Sequence, residues 1–369
     1  MDSVDVLVIG AGVIGLAIAE RLVGPKRELV VCERHDGFGR ETSSRNSEVI
    51  HCGMYYAEDL LKTTLCVRGN PLLYELCARA GIPHRKTGKI VVATDESESE
   101  KLHRILDQGR RNGVTGLRLL LAGEIRDMEP DVSGCLGLHS PESGIVDSHR
   151  LMEHLERSAR SRGAIMAYGC EVTGIHKERS GYRVEITQGG GETVVIAAGC
   201  VVNSAGLGAD GIAAMAGIDI DESGYRIHPC KGEYFRIASR HRGRIRRLVY
   251  PTPSPVHLGA HVVLGLDDGL KIGPDSSYVD RIDYAVDAGH QREFFEKAVR
   301  FLPFLSYDDL SPDMSGIRPK LYRRGEPFRD FVIREEGDRG LAGLVNLIGM
   351  ESPGLTSCLT IAEKVESLL

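Results

Sequence analysis

The sequence predicts an α/β fold, α+β overall, with one region built on a parallel sheet and another on antiparallel strands. The apolar residues 6–9 are typical of a strand buried on both faces of a parallel sheet. They run into Gly10, Gly12 and Gly15, spaced as G-x-G-x-x-G, and then into an Ala- and Leu-rich helical stretch. Residues 225–323 form a strand-rich stretch, which predicts the antiparallel sheet.

The glycine motif predicts a site for a dinucleotide. Gly10 permits a tight turn, Gly12 lets an anion approach the backbone, and Gly15 lets the helix pack closely on the strand. The first N–H groups of the helix and its dipole favour a phosphate. A second strand at 29–32 ends in Glu33, about twenty residues on, where a carboxylate accepts hydrogen bonds from a ribose.

Length and composition indicate an ordinary globular protein of two domains. The chain has 369 residues, with 42% hydrophobic and 27% charged residues. A net charge of −6 gives no reason to expect a nucleic-acid partner. The nine cysteines include no C-x-x-C pair, so neither a metal site nor a disulfide framework is predicted.

The sequence carries no targeting signal that we accept. No apolar run reaches transmembrane length, and a start containing Asp2 and Asp5 is unlike a signal peptide. We therefore expect a cytoplasmic protein, with a peripheral position at the inner face of a membrane left open. The basic cluster 240–247 is interpreted as a solvated loop or edge, with contact to anionic lipid or an acidic partner as the alternative.

Several elements follow from local patterns. Apolar spacing predicts a helix over 58–80, kinked or split at Pro71. Separate strands are predicted at 193–197 and 200–203. A final helix over 353–368 is predicted to have Ser352 as N-cap and Pro353 at its first position.

Motifs along nearly the whole chain resemble one family. The chain resembles the glutathione-reductase-like flavoproteins of the D-amino-acid-oxidase superfamily, most of all L-2-hydroxyglutarate dehydrogenases, and next glycerol-3-phosphate dehydrogenases. The segments that carry the resemblance, besides the glycine motif and Glu33, are R-N-S-E-V-I-H-C-G-M-Y-Y at 45–56, K-G-E-Y at 231–234, V-Y-P at 249–251, L-G-A-H at 258–261, I-G-P at 272–274, G-I-R-P at 316–319 and E-S-P-G-L-T-S at 351–357.

The resemblance implies a glutathione-reductase-like FAD-binding Rossmann domain and a second, antiparallel-sheet substrate domain. It implies that residues 1–85, 145–222 and 323–369 form the FAD-binding domain, and residues 86–144 and 223–322 the substrate or cap domain. The implied FAD contacts are Gly10, Gly12, Val13, Ile14, Gly15, Glu33, Arg34, Thr42, Ser43, Arg45, Asn46, Ser47, His51, Val172, Ser204, Ala205, Gly206, Gly316, Arg318, Pro353, Gly354, Leu355 and Thr356.

Two features favour FAD over NAD. A second glycine turn at Gly206 and a third at the start of the last helix exceed what an NAD site needs. By the resemblance, Gly354, Leu355 and Thr356 direct backbone N–H groups at the N1/O2 edge of the flavin. Reduced flavin gains negative charge at that edge, and a helix N-terminus stabilises it.

Three residues are candidates for the chemistry. The resemblance puts His51 opposite the flavin ring, where it can act as a base, with a structural histidine or a covalent flavin link as alternatives. His261 is the competing base, and Arg318 can clamp a carboxylate with two hydrogen bonds unless it forms a structural salt bridge. The residues expected to line the substrate pocket are Tyr55, Lys231 and Tyr250, together with Arg318.

The expected function is oxidation of a small 2-hydroxy acid by hydride transfer to flavin N5, with electrons passed to a quinone-type acceptor. The alternatives are an amino-acid or amine oxidase, a glycerol-3-phosphate dehydrogenase, and a flavoprotein that only binds its cofactor. The sequence departs from the family pattern at Glu48 and Cys52. An acid at residue 48 would repel the second carboxylate of a dicarboxylic substrate.

Overall fold

The fold is taken from a computed structural model, which describes residues 2–253 and 261–369. Packing divides the chain into two units. The first unit comprises Met1–Ser44, Ser148–Pro229 and Arg318–Leu369, and the second comprises Arg45–Asp147 and Cys230–Ile317. Residues 258–260, part of one motif that carries the resemblance, lie outside the described residues.

Within the described residues the chain forms twenty strands and eight α-helices. The strands are β1 (Asp2–Ile9), β2 (Leu29–Glu33), β3 (Val49–Ile50), β4 (His84–Arg85), β5 (Lys89–Ala93), β6 (Arg118–Leu121), β7 (Leu136–Ser140), β8 (Gly144–Val146), β9 (Ile165–Tyr168), β10 (Cys170–Lys177), β11 (Tyr182–Gln188), β12 (Thr193–Asn203), β13 (His228–Ile237), β14 (Leu248–Pro251), β15 (His261–Leu264), β16 (Leu270–Gly273), β17 (Ser277–Tyr278), β18 (Leu310–Lys320), β19 (Val332–Glu336) and β20 (Leu341–Ile348). The helices are α1 (Val13–Leu22), α2 (Leu61–Ala80), α3 (Ser99–Arg111), α4 (Ala122–Met128), α5 (Ser148–Ser161), α6 (Ala209–Met215), α7 (Gln291–Ala298) and α8 (Gly354–Glu366).

The first unit is built on an eight-stranded sheet with a parallel centre. Its order is β10-β11-β12-β1-β2-β9, and β20 joins at β12 with β19 beyond it. β1 lies parallel to both β12 and β2, and β2 lies parallel to β9. Helices α5 and α8 pack on α1. The predicted parallel sheet is confirmed, because strands whose residues are apolar on both faces need a covering of helices.

The second unit contains a nine-stranded sheet and a small three-stranded one. The large sheet runs β17-β13-β16-β15-β14-β5-β7-β6, with β18 beside β13, and the small sheet runs β3-β8-β4. Along the order from β17 to β6 the pairings are antiparallel except that β14 and β5 are parallel. The expected antiparallel sheet is therefore present with one parallel pair. Its core includes buried Phe235, Tyr250 and Phe294.

Three local predictions need correction. Helix α2 begins at Leu61 and is not split at Pro71, which is exposed, so water can replace the lost backbone bond. The two strands predicted at 193–197 and 200–203 are one strand, β12, because one register with β1 continues from Ile196 to Asn203. Gly199 stands inside this strand because a Cβ there would lie 2.9 Å from the Asp5 carbonyl oxygen. Helix α8 begins at Gly354, after Pro353 in a non-helical conformation, so Ser352 is not its cap.

The division between the units differs from the predicted boundaries most at residues 45–85, and by a few residues at 145–147, 223–229 and 318–322. Residues 45–85 belong to the second unit, although we predicted them in the FAD-binding domain. They lie there because β3 and β4 both pair with β8. The roles of the units as cofactor and substrate domains stay predictions. No described helix combines the length and the low charge that crossing a bilayer would demand.

Candidate active site

The turn between β1 and α1 leaves no space for side chains at two of its glycines. Gly10 has a φ of +99°, and a Cβ there would lie 2.7 Å from the carbonyl oxygen of Ser204. A Cβ on Gly15 would lie 2.0 Å from the carbonyl oxygen of Gly10. The hydroxyl of Ser204 donates to the Ile9 carbonyl across 2.8 Å, which ties the end of β12 to the same turn. The glycines therefore set the close approach of strand, helix and loop.

The start of α1 is held by a serine from a distant loop. Gly12 is the N-cap and supplies no side-chain cap. Instead the backbone N–H of Val13 donates to Ser43 Oγ across 3.0 Å. A Cβ on Gly12 would lie 2.9 Å from that oxygen, so the glycine makes room for Ser43 as well as for a ligand.

Glu33 is buried at the end of β2 and faces the glycine turn. The Ala11 N–H donates to its Oε2 across 2.8 Å, and the His35 N–H donates to its Oε1 across 2.9 Å. Each carboxylate oxygen can still accept a further hydrogen bond, so a ribose hydroxyl can be added to this arrangement. The neighbouring Arg34 pairs with Glu41, which gives that guanidinium a structural partner.

The first turns of α1 and α8 lie together, which fits a dinucleotide. A Cβ on Gly354 would lie 3.4 Å from Ile14 Cδ1. In the first turn of α8, Thr356 and Ser357 are buried, and within the described chain Ser357 Oγ has no hydrogen-bond partner. Two positive helix ends and an unused buried hydroxyl suit the phosphates and the flavin edge of FAD. Pro353 and Leu355 flank Gly354 there.

The remaining predicted contacts of the first unit lie on its strand ends and loops. Gly206 has a φ of +56°, and a Cβ there would meet no described atom within 4 Å, which leaves its backbone open to a ligand. Val172 lies in β10 beside a bulge, and Arg318 lies near the end of β18. The FAD roles of these residues, and those of Thr42 and Ala205, stay predictions.

In the second unit, helix α2 holds the segment that carries His51. Asn70 Nδ2 donates to the His51 carbonyl oxygen across 2.8 Å and to the Glu142 carbonyl oxygen across 2.9 Å. Cys66 Sγ lies 3.5 Å from the same His51 oxygen. The histidine backbone is therefore fixed by buried side chains, while His51 itself is only half-buried.

One of the two candidate bases, His261, belongs to an aromatic cluster. His261 stacks on Tyr250 with ring centroids 3.7 Å apart and an angle of 15° between the planes. Lys89 Nζ lies 4.0 Å from the centroid of the Tyr250 ring and 5.6 Å from the centroid of the Tyr55 ring. The structure thus brings together His261, Tyr250 and Tyr55, and the charge of His261 also acts on His51.

Burial and neighbouring charge determine the protonation of this cluster. Desolvation, with the positive charges of Lys89 and His261, holds the pKa of His51 well below its usual range. Desolvation raises the pKa of both Tyr55 and Tyr250 above the usual value. At neutral pH the His51 imidazole is therefore uncharged and can accept a proton, and both phenols keep theirs.

The segment before His51 is held by hydrogen bonds and close backbone packing. Ser47 Oγ lies 2.9 Å from the Tyr234 hydroxyl, and the Glu48 N–H donates to Asn46 Oδ1 across 2.7 Å. Glu48 adopts a φ of +53°, which is uncommon for a residue with a Cβ. A Cβ on Gly316 would lie 2.0 Å from the Arg45 carbonyl oxygen, so that glycine serves close backbone packing.

Two basic features already have internal partners. Lys231 Nζ lies 3.3 Å from Glu233 and 3.8 Å from Asp283 and also donates to the Ala285 carbonyl. This arrangement favours a structural role over the predicted contact with substrate. Four arginines of the basic cluster pair with carboxylates, which weakens the alternative of a lipid contact; the pairs are Arg240–Asp309, Arg242–Asp267, Arg244–Asp131 and Arg247–Glu129.

Sequence reasoning missed Lys89 and Asn70. Lys89 begins an apolar strand and has no exposed surface, yet a lysine before such a strand is ordinarily expected at the surface. Asn70 precedes Pro71 inside α2, where the pattern gives it no distinct role. Neither residue has a local signal, because both gain their neighbours only through the tertiary fold.

The fold and the cofactor-binding geometry define a flavin-dependent oxidoreductase. The model of the FAD-dependent oxidoreductase family, DAO, matches residues 5–368. The chain belongs to this family, and FAD is its cofactor.

Relatives and solved structures agree with this assignment. The chain is 38% identical to "L-2-hydroxyglutarate dehydrogenase, mitochondrial" of Arabidopsis thaliana, over 99% of this chain and 83% of that protein. It is similar to the reduced, FAD-bound L-alpha-glycerophosphate oxidase of Mycoplasma pneumoniae, with a TM-score of 0.89, 26% identity and coverage of 100% and 95% of the two chains. Glycine oxidase of Geobacillus kaustophilus gives a TM-score of 0.82 and 25% identity, with coverage of 100% and 95%.

Proposed function

We propose that the protein is an FAD-dependent dehydrogenase of small 2-hydroxy acids, with L-2-hydroxyglutarate as the first candidate. The observation that carries the proposal is the buried cluster of His261, Tyr250 and Lys89 in the unit that also contains His51, with the His261 ring stacked on Tyr250 at 3.7 Å and Lys89 Nζ 4.0 Å from the centroid of the same tyrosine. A neutral base can take the proton of a hydroxyl group, and a nearby positive charge favours an anionic substrate. The name of the Arabidopsis relative supports this substrate class.

The reaction assigns a separate task to each group. When bound, FAD supplies the acceptor for a hydride from the carbon that carries the hydroxyl group. The hydroxyl proton passes to a ring nitrogen of His51, and the C–H bonding pair leaves as the hydride, so that a 2-oxo acid forms. Tyr55 and Tyr250 keep their protons at neutral pH. Because the Tyr55 hydroxyl and the Tyr250 side chain are buried, no substrate contact is assigned to either. Arg318 is proposed to hold the carboxylate with its guanidinium fork.

The acceptor of the second half-reaction is also part of the proposal. We propose a cytoplasmic enzyme with a quinone-type acceptor; a peripheral position at the inner face of a membrane is the alternative that a membrane quinone would require. The test is to reduce the holoenzyme with substrate and mix it with either a soluble quinone analogue or oxygenated buffer. Faster reoxidation by the quinone supports the proposal, and fast stoichiometric release of hydrogen peroxide would replace it with an oxidase.

The substrate is tested by identifying the product. Purified holoenzyme is incubated with L-2-hydroxyglutarate, D-2-hydroxyglutarate or L-lactate and an artificial electron acceptor, and the 2-oxo acids are separated by chromatography. We expect formation of one 2-oxo acid, with preference for one enantiomer. The absence of a 2-oxo acid from every hydroxy acid tested would refute the proposal.

Glycerol 3-phosphate is the second candidate. The glycerophosphate oxidase structure has the higher TM-score of the two reported above. Glu48, half-buried beside the His51 segment, would repel the second carboxylate of 2-hydroxyglutarate and equally the phosphate of glycerol 3-phosphate, so it favours a monocarboxylic hydroxy acid. The matched comparison is Glu48→Gln against wild type with a dicarboxylic and a monocarboxylic hydroxy acid. A lower KM only for the dicarboxylic acid would show that Glu48 limits its binding.

A further inference from the structure

A buried carboxylate, Glu336, lies at one end of a chain of hydrogen bonds in the first unit. It is the last residue of β19 and has a solvent exposure of 0%. Its Oε1 accepts from the Tyr225 hydroxyl across 2.7 Å and from Asn346 Nδ2 across 2.9 Å. Arg339 Nε lies 3.2 Å from its other oxygen, Oε2, and Arg334 Nε lies 3.6 Å from the same oxygen. The carboxylate therefore has cations on one side and an asparagine on the other.

The chain of hydrogen bonds continues through two asparagines on neighbouring strands. Asn346 in β20 and Asn203 at the end of β12 are partners in the parallel pairing of these strands, and both have a solvent exposure of 0%. Asn203 Nδ2 donates to Asn346 Oδ1 across 2.8 Å and to the Ala209 carbonyl oxygen across 2.7 Å. The Ala205 N–H donates to Asn203 Oδ1 across 3.3 Å. Successive hydrogen bonds thus connect the buried carboxylate to the turn after β12.

These hydrogen bonds all run in the same direction, from the turn towards Glu336. A carboxylate only accepts, so the amide NH₂ of Asn346 faces Glu336 and its oxygen faces Asn203. Asn203 then directs its own NH₂ at Asn346, which leaves its oxygen for the Ala205 N–H. Hydrogen bonds aligned in this way polarise and strengthen one another. Glu336 therefore supports one orientation of both amides, which the Ala209 carbonyl also favours.

Stability alone does not explain these buried polar side chains. Their strands are otherwise apolar at this level, with residues 201–202 before Asn203 and residues 347–348 after Asn346. Removing amide and carboxylate groups from water is costly, and apolar residues of similar volume often pack in such places at lower cost. The polar residues instead provide a fixed conformation for the turn that follows β12.

The turn of residues 204–206 lies against the glycine turn between β1 and α1. A Cβ on Gly10 would lie 2.7 Å from the Ser204 carbonyl oxygen. Gly206, at the other end of the turn, has a φ of +56°, and a Cβ there would meet no described atom within 4 Å. Asn203 holds the backbone N–H of Ala205 between them. The hydrogen-bond chain therefore ends where the backbone is open to a ligand.

We propose that Glu336 is a positioning residue for FAD. Through Asn346 and Asn203 it fixes the turn of residues 204–206, so that the open backbone of Gly206 is held in place for the cofactor. Glu336 does not touch FAD itself, because it has no accessible surface. The inference rests on the predicted contact between this turn and FAD, and it does not depend on the identity of the substrate.

The first test reverses the polarity of one link. In Asn346→Asp an oxygen would replace Nδ2 at 2.9 Å from Glu336 Oε1, so that two acceptors face each other. In the double variant Glu336→Gln/Asn346→Asp the new amide can donate to the new carboxylate, which still accepts from Asn203. Apoprotein of each variant is titrated with FAD and followed by flavin fluorescence. We expect Asn346→Asp to bind FAD about tenfold more weakly, as for loss of a hydrogen bond to a charged group, and the double variant to bind within about threefold of wild type.

The matched control is Glu335→Gln. Glu335 precedes Glu336 in β19, but its carboxylate accepts from the backbone N–H groups of Gly337 and Gly343 across 2.9 and 2.7 Å. This variant should lose stability without losing affinity for FAD. Urea unfolding of the apoproteins is measured beside the FAD titration, because a merely structural role changes the unfolding alone. Wild-type FAD affinity in folded Asn346→Asp, or weak binding that the second substitution does not restore, would overturn the proposal.

A second variant, Asn346→Leu, covers the case in which Asn346→Asp does not fold. It removes the amide without adding a charge, so Asn203 loses its link to Glu336 and keeps only its backbone hydrogen bonds. We expect FAD to bind about three- to tenfold more weakly, as for loss of buried neutral hydrogen bonds. An affinity equal to that of wild type would refute the role of Glu336.

Gly206→Asn separates the proposal from the prediction on which it rests. Asparagine tolerates a positive φ, so the turn can keep its conformation while the added side chain occupies the space beside the backbone. We expect this variant to bind FAD more weakly. Wild-type affinity would show that the turn does not contact FAD, and the proposal would fall with that contact. Weak binding here, combined with wild-type affinity in both Asn346 variants, would keep the contact and refute the role of Glu336.

Discussion

At the scale of single residues, the chemistry depends on how His51 is held and kept neutral. Its backbone is fixed by Asn70, and its protonation is opposed by burial and by the charges of Lys89 and His261. A base of this kind is poised to accept a proton without first losing one. The two histidines compete for this role, and His261 has only 5% of its surface exposed.

The first prediction separates the two histidines. His51→Gln should keep FAD bound and lower the rate of flavin reduction by roughly 10²–10⁴-fold, the usual contribution of a general base. His261→Gln should raise the substrate concentration needed for half-maximal reduction more than it lowers the limiting rate. Stopped-flow reduction at several substrate concentrations measures both values. The opposite pattern would make His261 the base.

The second prediction concerns Glu33. Its two oxygens accept from the N–H groups of Ala11 and His35, so the carboxylate orders the glycine turn besides its predicted bond to the ribose. In Glu33→Gln an amide NH₂ would face one of these donors. Loss of a charged acceptor should weaken FAD binding by about 1.5–3 kcal/mol.

Titration of apoprotein with FAD measures the effect of Glu33→Gln. The exposed Glu192, in the turn before β12, provides the control variant Glu192→Gln, which should bind FAD as wild type does. Equal affinity of both variants would mean that the adenosine end of the cofactor does not depend on Glu33.

At the scale of elements, the junction of β1 and α1 positions the N-terminus of α1 so that its backbone N–H groups can bind an anion. Gly15 is essential there because a Cβ would lie 2.0 Å from the Gly10 carbonyl oxygen, a backbone atom that can move only with the turn. Gly211 is also a helical glycine, but within the described part of the chain a Cβ on it would meet no atom inside 4 Å. Comparing alanine substitutions at Gly15 and Gly211 therefore separates the effect of close packing from the effect of helix propensity.

The third prediction uses these two glycines. Gly15→Ala should lower the free energy of unfolding by about 1–3 kcal/mol, as for an overpacked core, and reduce the bound FAD. Gly211→Ala should raise it by about 0.5–1 kcal/mol, because alanine favours the helix. Urea unfolding and the flavin absorbance per chain measure both effects. Unchanged stability and flavin content in Gly15→Ala would refute the close-packing account.

Local sequence signals predicted β1, α1 and β2, because glycine spacing and apolar runs act over short distances. They failed where contacts with distant parts of the chain determine the local structure or the burial of a side chain. The apparent break in β12 comes from the approach of Asp5 to Gly199, and the burial of Lys89 comes from Tyr250 and Tyr55. The individual residues of the glycine turn could therefore be predicted from the sequence, whereas the residues that surround the candidate bases could not.

At the scale of the whole molecule, the predicted cofactor contacts are divided between the two units. The first unit contains the glycine turn, Glu33, Ser43, Ser204 and Gly354. The second unit contains Arg45, Asn46, Ser47, His51 and Gly316, which the resemblance also assigns to FAD. The FAD contacts that the resemblance implies are therefore assigned partly to residues of each unit.

The fold alone does not decide the substrate. Structures with TM-scores of 0.89 and 0.82 to this chain are named as oxidases of glycerophosphate and of glycine. Function is determined by the groups of the site, not by the architecture that they share. The decisive observation must therefore be a reaction of the bound flavin with a defined substrate.

Anaerobic reduction of the holoenzyme tests the central claim most directly. Purified protein is mixed without oxygen with L-2-hydroxyglutarate, glycerol 3-phosphate or glycine, and the flavin absorbance is followed by stopped flow. We predict rapid bleaching with the 2-hydroxy acid, slower or no bleaching with the other two, and a loss of most of the rate in His51→Gln. Bleaching by glycine or glycerol 3-phosphate but not by any 2-hydroxy acid would contradict the account.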